Sequence, residues 1–130
     1  MVDQLMRDYV AAFNRHDLEG MLATLHEEVV HELNEGDAQV GIEAFRSFKT
    51  HMDECYREQL VDVVYFVNGD RGAIEFICEG EYLKQDDGLP PATGQKYAIR
   101  AAAFFEVRDG KLGRVTSFYN LREWIASVSG

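Results

Sequence analysis

The stretch Leu60-Val61-Asp62-Val63-Val64-Tyr65-Phe66-Val67-Asn68-Gly69-Asp70-Arg71-Gly72-Ala73-Ile74-Glu75-Phe76-Ile77-Cys78-Glu79-Gly80-Glu81-Tyr82-Leu83 decides the fold. Leu60 to Val67 is rich in β-branched and aromatic residues, Asn68-Gly69-Asp70 has hairpin-turn chemistry, and Gly72 to Leu83 returns as a second strand. Apolarity sets the phase of that second strand: Ile74, Phe76, Cys78, Gly80 and Tyr82 share one face, while Glu75, Glu79 and Glu81 occupy the other. One apolar and one charged face place it in a sheet covered on one side only.

Beyond this hairpin, Lys84 to Gln95 contains Asp86-Asp87-Gly88 and Pro90-Pro91 and reads as a loop. Tyr97 to Val107, a tight Asp109-Gly110 turn and Leu112 to Leu121 predict another hairpin, and Leu121 to Val128 a short helix bearing Trp124. Upstream, Val2, Leu5, Met6, Tyr9, Val10 and Phe13 recur at steps of three and four, the signature of one apolar helix face. Asp17 suits the N-cap of a second short helix whose face carries Leu18, Met21, Leu22 and Leu25. Val29-Val30-His31-Glu32-Leu33 reads as a strand ended by the turn residues Asn34-Glu35-Gly36-Asp37, and Ile42 to about Tyr56 as a third helix. Helices followed by a run of strands give an α+β class, with N-terminal helices packed on a strongly curved, mostly antiparallel β-sheet.

The 130 residues carry a formal net charge of −10 and are expected to form a single domain, residues 1–130. Thirteen cations scattered among 23 anions do not make the basic footprint that nucleic acid or an anionic membrane requires. Val63 to Val67, the longest charge-free apolar run, is far shorter than the roughly 20 residues of a membrane span. Cys55 and Cys78 have no CxxC or zinc-ligand spacing, and the first twenty residues hold too many charges for a secretory signal. The expectation is a cytoplasmic protein with reduced thiols.

Three sets of residues carry a family resemblance: Tyr9-Val10-Ala11-Ala12-Phe13-Asn14 with His16-Asp17-Leu18-Glu19-Gly20-Met21, then Val40-Gly41-Ile42-Glu43-Ala44-Phe45, and Asp109-Gly110-Lys111-Leu112 with Val115-Thr116-Ser117-Phe118-Tyr119-Asn120. With the element order, they resemble the ketosteroid isomerase and SnoaL-like polyketide cyclase superfamily, whose cone-shaped fold is shared with nuclear transport factor 2. Tyr119-Asn120-Leu121-Arg122-Glu123-Trp124 is similar to the end of limonene epoxide hydrolases. Cys55-Tyr56-Arg57-Glu58-Gln59-Leu60-Val61-Asp62 and Gly88-Leu89-Pro90-Pro91-Ala92 are similar to ketosteroid-isomerase-related proteins. The resemblance implies a pocket in which Tyr9 takes the place of the isomerase's oxyanion-binding tyrosine. It puts Leu33 where the isomerase keeps its general base, Ala103 at its second oxyanion donor and Ser117 near the last-strand acid or base of cyclases and epoxide hydrolases. The fold is therefore implied and the reaction is not.

Alternation extends the inward face to Tyr97, Ile99, Ala101, Ala103 and Phe105 on one strand and to Val115, Ser117 and Tyr119 on the last. Small residues at Gly80, Ala101 and Ala103 among large aromatics predict a cavity rather than a filled core. Phe13, Leu33, Asn34, Phe48, Phe76, Cys78, Tyr82, Ile99, Ala101, Ala103, Phe105, Ser117 and Tyr119 are the expected substrate-binding residues. Tyr9 is the candidate donor to a developing oxyanion. His31 is the candidate proton-transfer group, being the one inward residue with a near-neutral ordinary pKa; a one-residue slip would put Glu32 inward instead. The bland readings are a satisfied core histidine and a tyrosine that packs the first helix. His26-Glu27-Glu28-Val29-Val30-His31 places its histidines five apart, off a common helical face, so no metal is expected, and without a GxGxxG or GxxxxGK motif no cofactor is expected either.

All these inward positions lack charge, which favours a small neutral apolar ligand. Ile77, Phe104 and Phe118 on the outer face predict a homodimer through that face, the mode that the resemblance implies. Three functions remain open: an isomerase-, cyclase- or hydrolase-type enzyme, a non-catalytic module binding a hydrophobic ligand, and a protein-interaction domain of the transport-factor type.

Overall fold

A computed structural model describes residues 1–34 and 36–129; Glu35, in the expected turn after the first strand, lies outside the described residues. Helix α1 spans Val2–Asn14, α2 Leu18–Leu22 and α3 Ile42–Cys55, and α4 at the end spans Leu121–Val128. The strands are β1 Leu25–Leu33, β2 Gln39–Val40, β3 Tyr56–Asn68, β4 Arg71–Tyr82, β5 Lys96–Arg108 and β6 Lys111–Tyr119. They form one open sheet in the order β2-β1-β6-β5-β4-β3. Neighbours are antiparallel except β1 and β6, which run parallel.

The sheet curls round its helical cover. Helix α3 contacts both β1 and β3 although three strands lie between them; four inter-strand steps in a flat sheet would separate those two by roughly 19 Å. The amphipathic face of α1 buries Val2, Met6, Tyr9, Val10 and Ala12 against the concave side. Asn14, the last residue of α1, then fixes the helix to the edge strand. Its Nδ2 donates to the Leu60 carbonyl at 2.9 Å and its Oδ1 accepts from the Leu60 N–H at 2.8 Å.

Several expected boundaries move. Leu25 opens β1 instead of closing α2, because α2 ends at Leu22. Tyr56 starts β3 instead of ending α3, so β3 begins four residues earlier than the apolar run suggests. Leu121 belongs to α4, where Asn120 caps the helix by accepting from the Glu123 N–H.

The largest departure lies inside the stretch that decides the fold. Val61 pairs with Ile77 and Val64 with Glu75, so β3 carries one residue more than β4 between those points, and Asp62 takes φ +54°. This bulge reverses the phase of β3. Tyr56, Glu58 and Leu60 point to the concave side before it, and Tyr65, opposite Ile74, does so after it. On β4 the expected alternation holds, with Ile74, Phe76, Cys78 and Tyr82 buried. Gly80 is a close-approach position: a Cβ there would lie 2.3 Å from Tyr97 Cζ. It makes room for the Tyr97 ring and not for a ligand.

Candidate functional site

The concave side encloses a cavity of about 290 Å³, at the lower end of the range for small-molecule sites. Helix α1 contributes Tyr9 and Phe13, β1 His31 and Leu33, and α3 Phe45, Phe48, Lys49 and Met52. From the sheet come Tyr56, Glu58, Ile74, Phe76, Cys78, Ile99, Ala101, Ala103, Ser117 and Tyr119. Of the expected lining residues, Asn34, Tyr82 and Phe105 do not reach it. Asn34 is used by the backbone: its N–H donates to the Ser117 carbonyl and its Oδ1 accepts from the Tyr119 N–H at 2.8 Å. Tyr82 is sealed behind Tyr56 and Trp124, and Phe105 lies behind Tyr9 at 5.4 Å between ring centroids.

The register of β1 turns His31 inward and Glu32 outward, where Glu32 accepts from Thr116 and Arg114. His31 is 5% exposed and is held by two rings, Phe45 at 4.9 Å and Phe48 at 4.6 Å. Burial among these rings disfavours the charged imidazolium and lowers the His31 pKa from 6.5 to about 4, against a small upward pull from Glu32. The near-neutral titration expected of His31 is thus absent, and the ring is neutral at pH 7.

Phe45 also lies edge-on to Tyr9, so one phenyl group positions both candidates. Burial raises the Tyr9 pKa well above its ordinary value, which keeps the phenol protonated and a hydrogen-bond donor. Among the described residues, neither the Tyr9 hydroxyl nor the His31 ring has a hydrogen-bond partner, while no sealed-off polar side-chain atom goes unpaired. The two groups therefore open into the cavity.

The other side of the cavity carries charge that the strand alternation did not reveal. Glu58, turned inward by the phase of β3, accepts from the Tyr97 hydroxyl at 2.5 Å. Burial and this carboxylate together push up the Tyr97 phenol and the Cys78 thiol, so both stay protonated. Lys49 is buried on α3, with Nζ 2.8 Å from Asp53 and 4.0 Å above the Phe13 ring. At the rim, Asp86 from the loop accepts from the Tyr56 hydroxyl at 2.8 Å and meets His51 Nε2 at 2.7 Å. Burial pushes the Asp86 carboxyl up, but the His51 and Tyr56 hydrogen bonds outweigh it and leave the group below its ordinary value. The same contact raises His51, so the pocket histidine that favours its charged form is His51.

Sequence reasoning missed Lys49, His51, Glu58 and Asp86. For Glu58 a signal existed: Tyr56, Glu58 and Leu60 alternate once the strand is started at Tyr56. For Asp86, in an irregular loop, none did.

Among the described residues, no helix is long and apolar enough to cross a membrane. The SnoaL-like domain family matches residues 6–115. A proposed polyketide cyclase of Xanthomonas campestris is 48% identical, with 97% of this chain and 95% of that chain covered at a TM-score of 0.94. Another from Silicibacter is 45% identical over 98% and 95%, at a TM-score of 0.96. One from Pseudomonas putida is 46% identical over 95% of each chain, at a TM-score of 0.93. No curated protein matches the chain. An NTF2-like protein of Burkholderia pseudomallei, 17% identical with a TM-score of 0.83, shares the fold. The helical cover on a curled six-stranded sheet and the match over most of the sequence agree: this chain belongs to the SnoaL-like domain family.

Proposed function

We propose that the cavity carries out acid–base chemistry of the isomerase, cyclase or hydrolase kind on a compact, largely apolar molecule bearing a carbonyl or similar oxygen. One observation carries this reading. The Tyr9 hydroxyl and the His31 ring line the same cavity, both edge-on to Phe45, and no other group among the described residues engages either of them, so both are available to a ligand. A carbonyl compound suits both groups, its oxygen facing Tyr9 and its α-carbon facing His31. The Tyr9 phenol donates to the oxygen that gains charge. His31, kept neutral by its aromatic surroundings, takes a proton from the carbon α to that oxygen onto its unprotonated ring nitrogen. The C–H electron pair passes to the oxygen, and the negative charge growing there strengthens the basicity of His31 as transfer proceeds. The relatives proposed as polyketide cyclases agree with an enolisable substrate.

Deuterium exchange tests this proposal directly. Small cyclic ketones and 1,3-diketones that raise the melting temperature are incubated with the protein in D₂O, and exchange α to the carbonyl is followed by NMR. The wild type should accelerate exchange, and His31→Phe and Tyr9→Phe should each lower it by about 10²-fold or more while ligand-induced stabilisation persists. Binding without exchange in any variant would leave the non-catalytic module as the correct reading.

The proposal includes a second copy of the chain and a cytoplasmic setting that keeps Cys55 and Cys78 reduced. Phe66, Phe104 and Phe118 are about half exposed on the outer face, and Glu75–Arg100 and Arg114–Glu106 ion pairs lie beside them. An apolar centre with a charged rim suits a self-pairing surface. Sedimentation at micromolar concentration should give a dimer; a monomer would contradict it.

A further inference from the structure

His51 and Cys55 are four residues apart on α3, which puts both side chains on one helical face. Asp86 reaches the same point from the loop after β4. Cys55 Sγ is 3.9 Å from His51 Nε2, Asp86 Oδ1 is 2.7 Å from that nitrogen, and one ligand atom from each residue lies within 4.8 Å of the others. We propose that His51, Cys55 and Asp86 form a three-ligand site for a divalent cation of the zinc type at the rim of the cavity.

The donor set is one nitrogen, one sulfur and one carboxylate oxygen, the combination that zinc accepts and that magnesium and calcium do not select. An outer layer is in place: the Tyr56 hydroxyl donates to Asp86 Oδ2 and the Asp87 N–H to Asp86 Oδ1. Such contacts fix the orientation of a ligating carboxylate. Asp86, Glu54 and Asp87 all contribute negative potential at His51 and Cys55, against Lys84 alone at Cys55. That field disfavours a lone thiolate and favours a cation. His51 and Asp86 line the cavity, so the fourth position of a tetrahedral ion would be open to it, as in sites that keep a place for water or a ligand oxygen.

Occupation exchanges bonds without any redox change. The direct His51–Asp86 contact opens, both atoms turn to the ion, and the Cys55 thiol gives its proton to solvent as the sulfur–metal bond forms. His26 and His31, whose spacing argues against a shared metal, take no part: His31 faces the cavity, and His26 contacts Asp109.

Cobalt and zinc ions are the probes. Chelator-treated protein titrated with Co²⁺ should take up one equivalent and develop a thiolate-to-cobalt charge-transfer band in the near ultraviolet, and Zn²⁺ should displace it. Cys55→Ser should abolish the band, Asp86→Asn should weaken binding by at least about tenfold, and Cys78→Ala should leave both unchanged. Circular dichroism confirms folding, and Asp86→Asn, in a loop, decides the matter if Cys55→Ser fails to fold. Absence of the band, or binding that is insensitive to both substitutions, would overturn the proposal.

Discussion

The two ends of one cavity treat the same side chain in opposite ways. His31 is packed between Phe45 and Phe48, has no ion-pair partner among the described residues, and is lowered to about 4 by burial. His51, on the exposed face of α3, meets Asp86 at 2.7 Å and is raised. Desolvation governs the first and a charged partner the second. Polar groups at the His31 end are left open to a ligand, whereas Glu58, Tyr97, Tyr56 and Asp86 are engaged with one another. The first end is suited to meet a substrate, and the second to hold shape and, through His51, Cys55 and Asp86, to take the proposed cation.

The strongest way to break this contrast is at Phe45, which is fully buried and touches both Tyr9 and His31. Phe45→Ala should cost about 3–5 kcal/mol, read from urea unfolding. It should also bring His31 closer to its ordinary pKa by admitting water. A loss under about 1 kcal/mol would mean that the aromatic cage does not hold the imidazole.

Next comes the acid limb. The folded pKa of His31 is depressed, so its contribution to stability is fully present above 6.5 and is lost as pH falls through about 4. From pH 7 to pH 4 the loss is about 3 kcal/mol for this group. In His31→Phe this part of the pH dependence should be missing, as unfolding free energies at pH 7, 5.5 and 4 would show.

At the other end, Tyr97→Phe removes the hydroxyl bound to Glu58 and should cost about 1.5–3 kcal/mol, the range for a hydrogen bond to a charged group. Tyr56→Phe should cost less, about 1 kcal/mol, because Asp86 keeps His51 as a partner. If Tyr56→Phe proved the more damaging, the reading that His51 keeps Asp86 partnered once the Tyr56 hydroxyl is gone would fail.

Much of the fold was legible because local patterns and tertiary burial agree. The alternation of Ile74, Phe76 and Cys78 reproduces the buried face of β4, and the Asp109-Gly110 turn adopts φ +50° and +78° as its chemistry demands. The site was legible where residues alternate in phase with the sheet, as His31, Ile99, Ala103 and Ser117 do. It was hidden where phase changes. Val61-Asp62-Val63-Val64 reads as unbroken strand, yet the extra residue there turns Glu58 toward the cavity from a strand whose apolar run begins later. Asn34 failed for a different reason: its polar side chain caps the end of β1 and is spent on backbone, a competition that residue type alone does not reveal. The neutral interior inferred from the inward list is corrected by Lys49, Glu58 and Asp86, two of which lie on elements whose facing had not been assigned.

The most direct test of the central claim is an NMR titration of the His31 imidazole nitrogens, first in the free protein and then with a bound cyclic ketone. A neutral ring through pH 7 with a midpoint near 4, and nitrogen shifts that respond to the ligand, is the predicted result. A midpoint near 6.5 with no response to ligand would contradict it, because the ring would then be solvated and turned away from the cavity.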